Sequence, residues 1–111
     1  MAVTRTAKKL AQVALGNTMA AIYTSPTSTK TQIVEMWFAN TSAATTRKIS
    51  LAAHGTAAGN IIVPELEIPA NGTKVINASK VVLEASEALA AKQDAGADVI
   101  ATLYGVQEVS S

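Results

Sequence analysis

Residues 22–43 read IYTSPTSTKTQIVEMWFANTSA. A turn built on Ser25-Pro26 leads into the densest apolar run of the chain, and a second polar turn follows. Ile33, Val34, Met36, Trp37 and Phe38 crowd together there and include the only Trp and the only Phe. β-Branched and aromatic side chains pack well on a pleated surface, and the Pro, Asn, Ser and Thr on either side close the run off. The stretch therefore predicts a central strand over 31–39. Alternation puts Val34, Met36 and Phe38 on one face and Ile33, Glu35 and Trp37 on the other. With apolar residues on both faces, the strand should be buried on one side and partly covered on the other.

Upstream, residues 3–9 are polar and basic and read as an extended arm or a first short strand. Leu10 to Leu15 has the apolar content of a strand. Gly16-Asn17 supplies turn chemistry, since both residues tolerate positive φ. A hairpin of 10–15 with 18–23 follows from that spacing.

Downstream, Asn40 to Thr46 is a loop. Arg47 to Ala53 alternates, with Ile49, Leu51 and Ala53 inward and Lys48, Ser50 and His54 outward. Gly55 to Asn60 is a turn. IIVPELEI at 61–68 is a strand whose Pro64 argues for an edge position or a bulge, because proline cannot donate to a ladder. Pro69-Ala70-Asn71-Gly72 is a turn of hairpin type. Thr73 to Asn77 extends again, and Val99 to Val109 is strand-like, with Gly105 marking a bulge.

The segment 79–93, SKVVLEASEALAAKQ, is locally ambiguous. Ala, Leu, Glu, Lys and Gln are strong helix formers, and Ser79 could cap a helix. Against that, no clean apolar stripe runs along it, and Val81-Val82 prefer a strand. Helix and strand both stay open on local physics.

At 111 residues the chain is long enough for one core and not two. Much of its apolar content is Ala, and small side chains each bury little area, so the predicted core is thin and assembly into a homo-oligomer would add burial. The net charge is +1, with Lys and Arg scattered, which lacks the footprint of a nucleic-acid binder. There is no cysteine, hence no disulfide or thiolate chemistry. The basic start and short apolar stretch, MAVTRTAKKLAQVALG, are interrupted by Gln12 and do not read as a signal peptide. No segment approaches a membrane span of ~20 apolar residues. The expected setting is a cytoplasm, at least at synthesis.

Residues with chemical potential each have a plainer reading. His54, the only histidine, has no partners at ligand spacing and reads as a solvent-facing loop residue. Glu65 and Glu67 share a strand face and could do acid–base work or hold a cation, but charged edge residues also block stray strand pairing. Asp94 and Asp98 flank a turn without the spacing of an EF-hand. Trp37, Tyr23 and Tyr104 could stack on a sugar, yet aromatics are only 4% of the chain and the core or a subunit interface is the stronger expectation. No nucleophile elbow or phosphate-cradling loop occurs, so no enzyme and no cofactor are expected.

From residue 18 to 109 a series of signals resembles a known pattern. It consists of Tyr23-Thr24-Ser25-Pro26, Lys30, Asn40-Thr41-Ser42, Ile68-Pro69-Ala70-Asn71-Gly72, Val82-Leu83-Glu84-Ala85 and Gly105-Val106-Gln107-Glu108-Val109. The chain resembles the small all-β virion proteins of tailed bacteriophages and prophages, of head-decoration, neck or tail-accessory type. In those proteins Val-Leu-Glu-Ala is followed by Gly-Asp in a tight turn; here Ser86-Glu87 stand there, which leaves a short helical turn near 83–92 open.

The resemblance implies an all-β, two-sheet antiparallel sandwich of about eight strands, near a jelly roll, with strands at 79–84, 87–93 and 97–109. With the polar, basic start read as an arm, the chain divides into an arm over 1–9 and one sandwich domain over 10–111. The resemblance implies a structural virion component, made in the bacterial host cytoplasm and bound to itself and to capsid or tail proteins. The alternative is a receptor- or carbohydrate-binding module at a tail tip. The residues expected in the core or at interfaces are Tyr23, Val34, Met36, Trp37, Phe38, Ile49, Leu51, Ile62, Leu103 and Tyr104.

Overall fold

A computed structural model describes residues 3–110, the side chains of 78–80 excepted. The strands are β1 (Val3–Ala14), β2 (Ala20–Thr24), β3 (Thr29–Asn40), β4 (Arg47–Ala53), β5 (Ile61–Ile68), β6 (Thr73–Leu83), β7 (Ala88–Gln93) and β8 (Val99–Ser110). A short 3-10 turn, Ala58–Asn60, precedes β5. They form two four-stranded sheets, ordered β1-β8-β3-β6 and β2-β7-β4-β5, and every pairing is antiparallel. First pairs with last, second with seventh, third with sixth, fourth with fifth. That nesting is a jelly roll, so the expected two-sheet sandwich is the observed fold.

The core lies between the sheets. Phe38, Met36 and Ile33 of β3 and Leu103 of β8 face Ile49 and Leu51 of β4 and Leu89 of β7, all of them essentially inaccessible. Each large side chain so buried contributes roughly 1.5–3 kcal/mol. Met36, Phe38, Ile49, Leu51 and Leu103 are thus core residues, and Tyr23 packs half-buried against them. Ser50 departs from the alternation: although expected outward, it is 8% exposed. Its hydroxyl donates to the carbonyl of Pro64 at 2.5 Å, between two flanking strands.

Along β3 the period of two is broken. Its pairings with both β6 and β8 shift register between Ile33 and Glu35, leaving Val34 as an inserted residue. Ile33 and Met36 therefore both point inward, while Val34 turns outward. The alternation grouped Val34 with Met36 and Phe38, and Ile33 with Trp37; the bulge exchanges Val34 and Ile33 between the two faces. β1 shifts at the matching level, between Lys9 and Ala11, on the other side of β8. Gly105 of β8 lies between these two irregularities, and a Cβ there would meet Leu10 Cδ1 at 2.8 Å. The bulge expected at Gly105 is thus carried by its neighbours.

Several local readings are corrected by the topology. Residues 10–15 and 18–23 do not form a hairpin, because β1 pairs with β8 and β2 with β7. Gly16-Asn17 instead carries the chain from one sheet to the other. The Pro69–Gly72 turn is likewise a corner between β5 and β6, with Asn71 at φ 60 and Gly72 N donating to Pro69 O at 2.8 Å. Turn chemistry encodes a reversal of direction but not the strand's partner. Residues 3–9 belong to β1, paired as far as Val3 with Ser110, which is the strand of the two settings read for them.

The separate strands expected at 73–77 and 79–84 are one strand, β6. No helical turn forms near 83–92. Glu87 N donates to Glu84 O at 3.0 Å in a tight turn with Ser86 at φ 70, and β7 starts at Ala88. Pairing with β2 and β4 on either side overrides the helix propensity of this segment. Pro64 lies on an edge strand, near a register shift, so both of its expected settings hold.

Candidate functional site

The broad surface of interest is the outer face of the β1-β8-β3-β6 sheet. Register fixes who shares it. Trp37 of β3 lies between Val75 of β6 and Thr102 of β8, with Gln12 of β1 beyond. In the next row Glu35 lies between Asn77 and Tyr104, with Lys9 beyond. Past the bulge come Val82, Gln32, Val106 and Ala7. Trp37 and Tyr104 are each 43% exposed and Val34 39%, so this sheet presents large apolar groups to solvent on the side away from the core. A shallow hollow lies between Gln12, Trp37, Ala39, Ile100, Thr102 and Tyr104.

This placement corrects the core half of three expectations. Val34, Trp37 and Tyr104 are surface residues of this face. Val34 is turned out by the bulge, while Trp37 and Tyr104 follow the pleat from buried Met36 and Leu103. Ile62 is also exposed, at 46%, because β5 is an edge strand lacking a neighbour on one side. Tyr23 is not beside Trp37: its hydroxyl lies between the sheets, 2.9 Å from Thr31 Oγ1 and accepting from Gln107 Nε2 at 2.7 Å.

Charge on the face is sparse: Glu35 and Lys9 lie in the row of Tyr104, and the remaining charged groups gather towards one end. The Trp37 indole N–H donates to the Glu35 carboxylate. At one end Arg5 pairs with Glu108 at 3.1 Å and Lys30 with Glu84 at 3.7 Å. Lys9 has no ion-pair partner among the described residues.

The other residues with chemical potential are dispersed. His54, at φ 70, places Nδ1 2.9 Å from Glu87 Oε1. The backbone N–H of Glu84 donates to the same oxygen, and with His54 it holds the Glu87 carboxyl below its ordinary pKa. Glu65 and Glu67 lie on edge strand β5, in the opposite sheet from Trp37, with Lys48 3.7 Å from Glu65. Asp98 is held by Arg47, with Nη2 at 2.7 Å. Among the described residues no group of three or more His, Asp and Glu converges as metal ligands. Nor is any helix among them long and apolar enough to cross a membrane.

Two buried amides were not singled out by sequence reasoning. Gln93, fully inaccessible at the end of β7, donates to the carbonyl of Leu15 and accepts from Asp98 N at 3.1 Å and Val99 N at 3.3 Å. It ties the β1–β2 corner to the start of β8. Asn40, at the end of β3, donates to Thr45 O at 2.8 Å and Ile68 O at 2.9 Å and accepts from Ser42 N at 3.0 Å. Nothing local distinguishes them from surface amides; only the pairing of distant strands buries them.

No family model matches the sequence, and no curated protein does. Among solved structures, the fold is similar to a chain from the acidic stable capsid structure of Helicobacter pylori bacteriophage KHP30. The TM-score is 0.58 at 13% identity, covering 99% of this chain and 100% of that one. A chain from the virus-like particle of the giant freshwater prawn Macrobrachium rosenbergii extra small virus has 12% identity over 100% of this chain and 81% of that one, with a TM-score of 0.40. The phage likeness is one of fold, running the full length of both chains: the protein has a capsid-like β fold.

Proposed function

We propose that this chain is a non-enzymatic structural protein of a phage particle, most specifically an accessory or decoration protein on the head. A neck or tail-accessory position is the variant of the same reading. The observation that carries it is the end-to-end match of an entire eight-stranded jelly roll to a chain of a phage capsid structure. The outer face of the β1-β8-β3-β6 sheet supports it physically. Trp37, Val75, Tyr104 and Val34 are exposed there among polar neighbours, and apolar groups gathered on one face and rimmed by polar residues mark interaction surfaces. Virion proteins act in symmetric copies, so the partners in this reading are further copies of the chain and the capsid or tail proteins beneath.

The test is quantitative peptide mass spectrometry on purified particles, normalised to the major capsid protein. Copies in the hundreds are expected for a head-decoration protein. About six or twelve would move it to the neck or tail, where ring symmetry sets the count. Absence from particles would overturn the virion reading.

One observation favours a second reading, a carbohydrate-binding module at a tail tip: Trp37 and Tyr104 are exposed on one face beside Glu35 and the hollow between them. The paired carboxylates that could work on a sugar, Glu65 and Glu67, are in the other sheet, which weakens this reading. Trp37 fluorescence separates the two. A shift on adding bacterial surface saccharide supports the module; indifference to saccharide supports the structural protein.

A further inference from the structure

The row Asn77–Glu35–Tyr104–Lys9 crosses the exposed face from β6 through β3 and β8 to β1. Tyr104 stands in its middle, with an anion on one side and a cation on the other. Among the described residues Lys9 has no anionic partner, and Glu35 meets the Trp37 indole but no cation. Both charges are left over for a partner surface, and they are placed symmetrically about β8.

We infer that this face packs against the same face of a second copy, in a dimer whose two-fold axis lies over Tyr104, within about 15° of the direction of β8. Rotation about that axis lays β1 of one copy over β3 of the other. Tyr104 meets its own symmetry mate, and Lys9 of each copy faces Glu35 of the other. An isologous contact demands this reciprocity: residue i meets j, and j meets i. The same operation places each Trp37 over the other copy's Gln12, in the neighbouring row.

Size agrees. Four strands about 4.8 Å apart and twelve residues long, at about 3.3 Å per residue, span roughly 750 Å² per copy. Specific interfaces bury about 800 Å² per partner, and even two thirds of this face would total about 1,000 Å². Sheets packed face to face cross at about −30°, so contact is closest at the centre and diverges towards the ends. The centre holds Trp37 and Tyr104, the residue types that dominate interface energetics. The diverging end holds Arg5 and Lys30, whose charges are already matched by Glu108 and Glu84.

The inference takes the face as an assembly surface, as the proposed function does, but its test needs no particles. A chain found in virions yet monomeric in solution would overturn the dimer alone. The experiment is sedimentation velocity on the purified full chain across a concentration series, with circular dichroism confirming the fold of each variant. The expected result is a dimer, with Trp37 emission shifting to the blue and losing iodide quenching as it forms. Lys9→Glu and Glu35→Lys should each weaken association by about tenfold or more, since like charges then face each other. An equimolar mixture of the two variants should restore dimers, because every facing pair is again opposite in sign. A monomer at all concentrations overturns the inference. So does an oligomer indifferent to both reversals, or one that the mixture fails to restore.

Discussion

Gly105 of β8 approaches Gln32 of β3 so closely that a Cβ on the glycine would lie 2.2 Å from the Gln32 carbonyl oxygen. Backbone cannot yield as the tip of a side chain can, so one methyl group at this position has to push two paired strands apart. Overpacking of this kind costs about 1–3 kcal/mol. Gly105→Ala is expected near the upper end, a fall in melting temperature of roughly 10 °C by differential scanning calorimetry. An unchanged melting temperature would show that β3 and β8 are not held at this distance.

Gln93→Leu preserves volume but removes the amide that serves Leu15 O, Asp98 N and Val99 N. Buried polar groups left without partners cost about 1–3 kcal/mol each. The variant should lose about 3 kcal/mol or more in urea unfolding, with an unchanged denaturant slope. A surface amide of the same type, Gln12→Leu, should lose far less, because Gln12 is exposed and its side chain bonds to a single hydroxyl, Thr102 Oγ1, among the described residues.

Acid should loosen the corner where β4 and β7 begin and end. The Glu87 carboxyl is held below its ordinary value by the Glu84 N–H and by His54. A folded pKa lower than the unfolded one adds stability that is fully present above the unfolded pKa, and it is lost as pH falls through the folded one. The difference in melting temperature between the native chain and Glu87→Gln should therefore be largest near neutrality and shrink below about pH 4.5. A gap that widened on acidification would contradict the assignment.

Ser86 occupies the left-handed region, φ 70, in the turn between β6 and β7. A non-glycine residue is strained there, and glycine is not, although glycine loses more freedom on folding. Ser86→Gly should gain about 0.5–1 kcal/mol in chemical denaturation. A loss would mean that the serine side chain makes a contact worth more than the strain.

The sequence by itself determined most of the extended stretches and where they turn, and left 79–93 open between helix and strand. The apolar run closing at Asn40 became β3, Pro64 marked an edge or a bulge, and Asn71-Gly72 marked a turn, with Asn71 at positive φ. These are local properties: period two, β-branching, fixed or permissive φ. The jelly roll itself came into the reading through the resemblance, not through any residue's own preference.

Only the tertiary structure decided who pairs with whom. Most consecutive strands lie in different sheets, and Val3 finds its partner in Ser110 at the other end of the chain. No turn signal carries that information, since closing so long a loop is rewarded only when the whole core forms. The same non-local pairing sets which face each side chain occupies. One inserted residue, Val34, puts Ile33 and Met36 on the same inner side and turns itself outward, because in a sheet a shift of one position exchanges inside for outside.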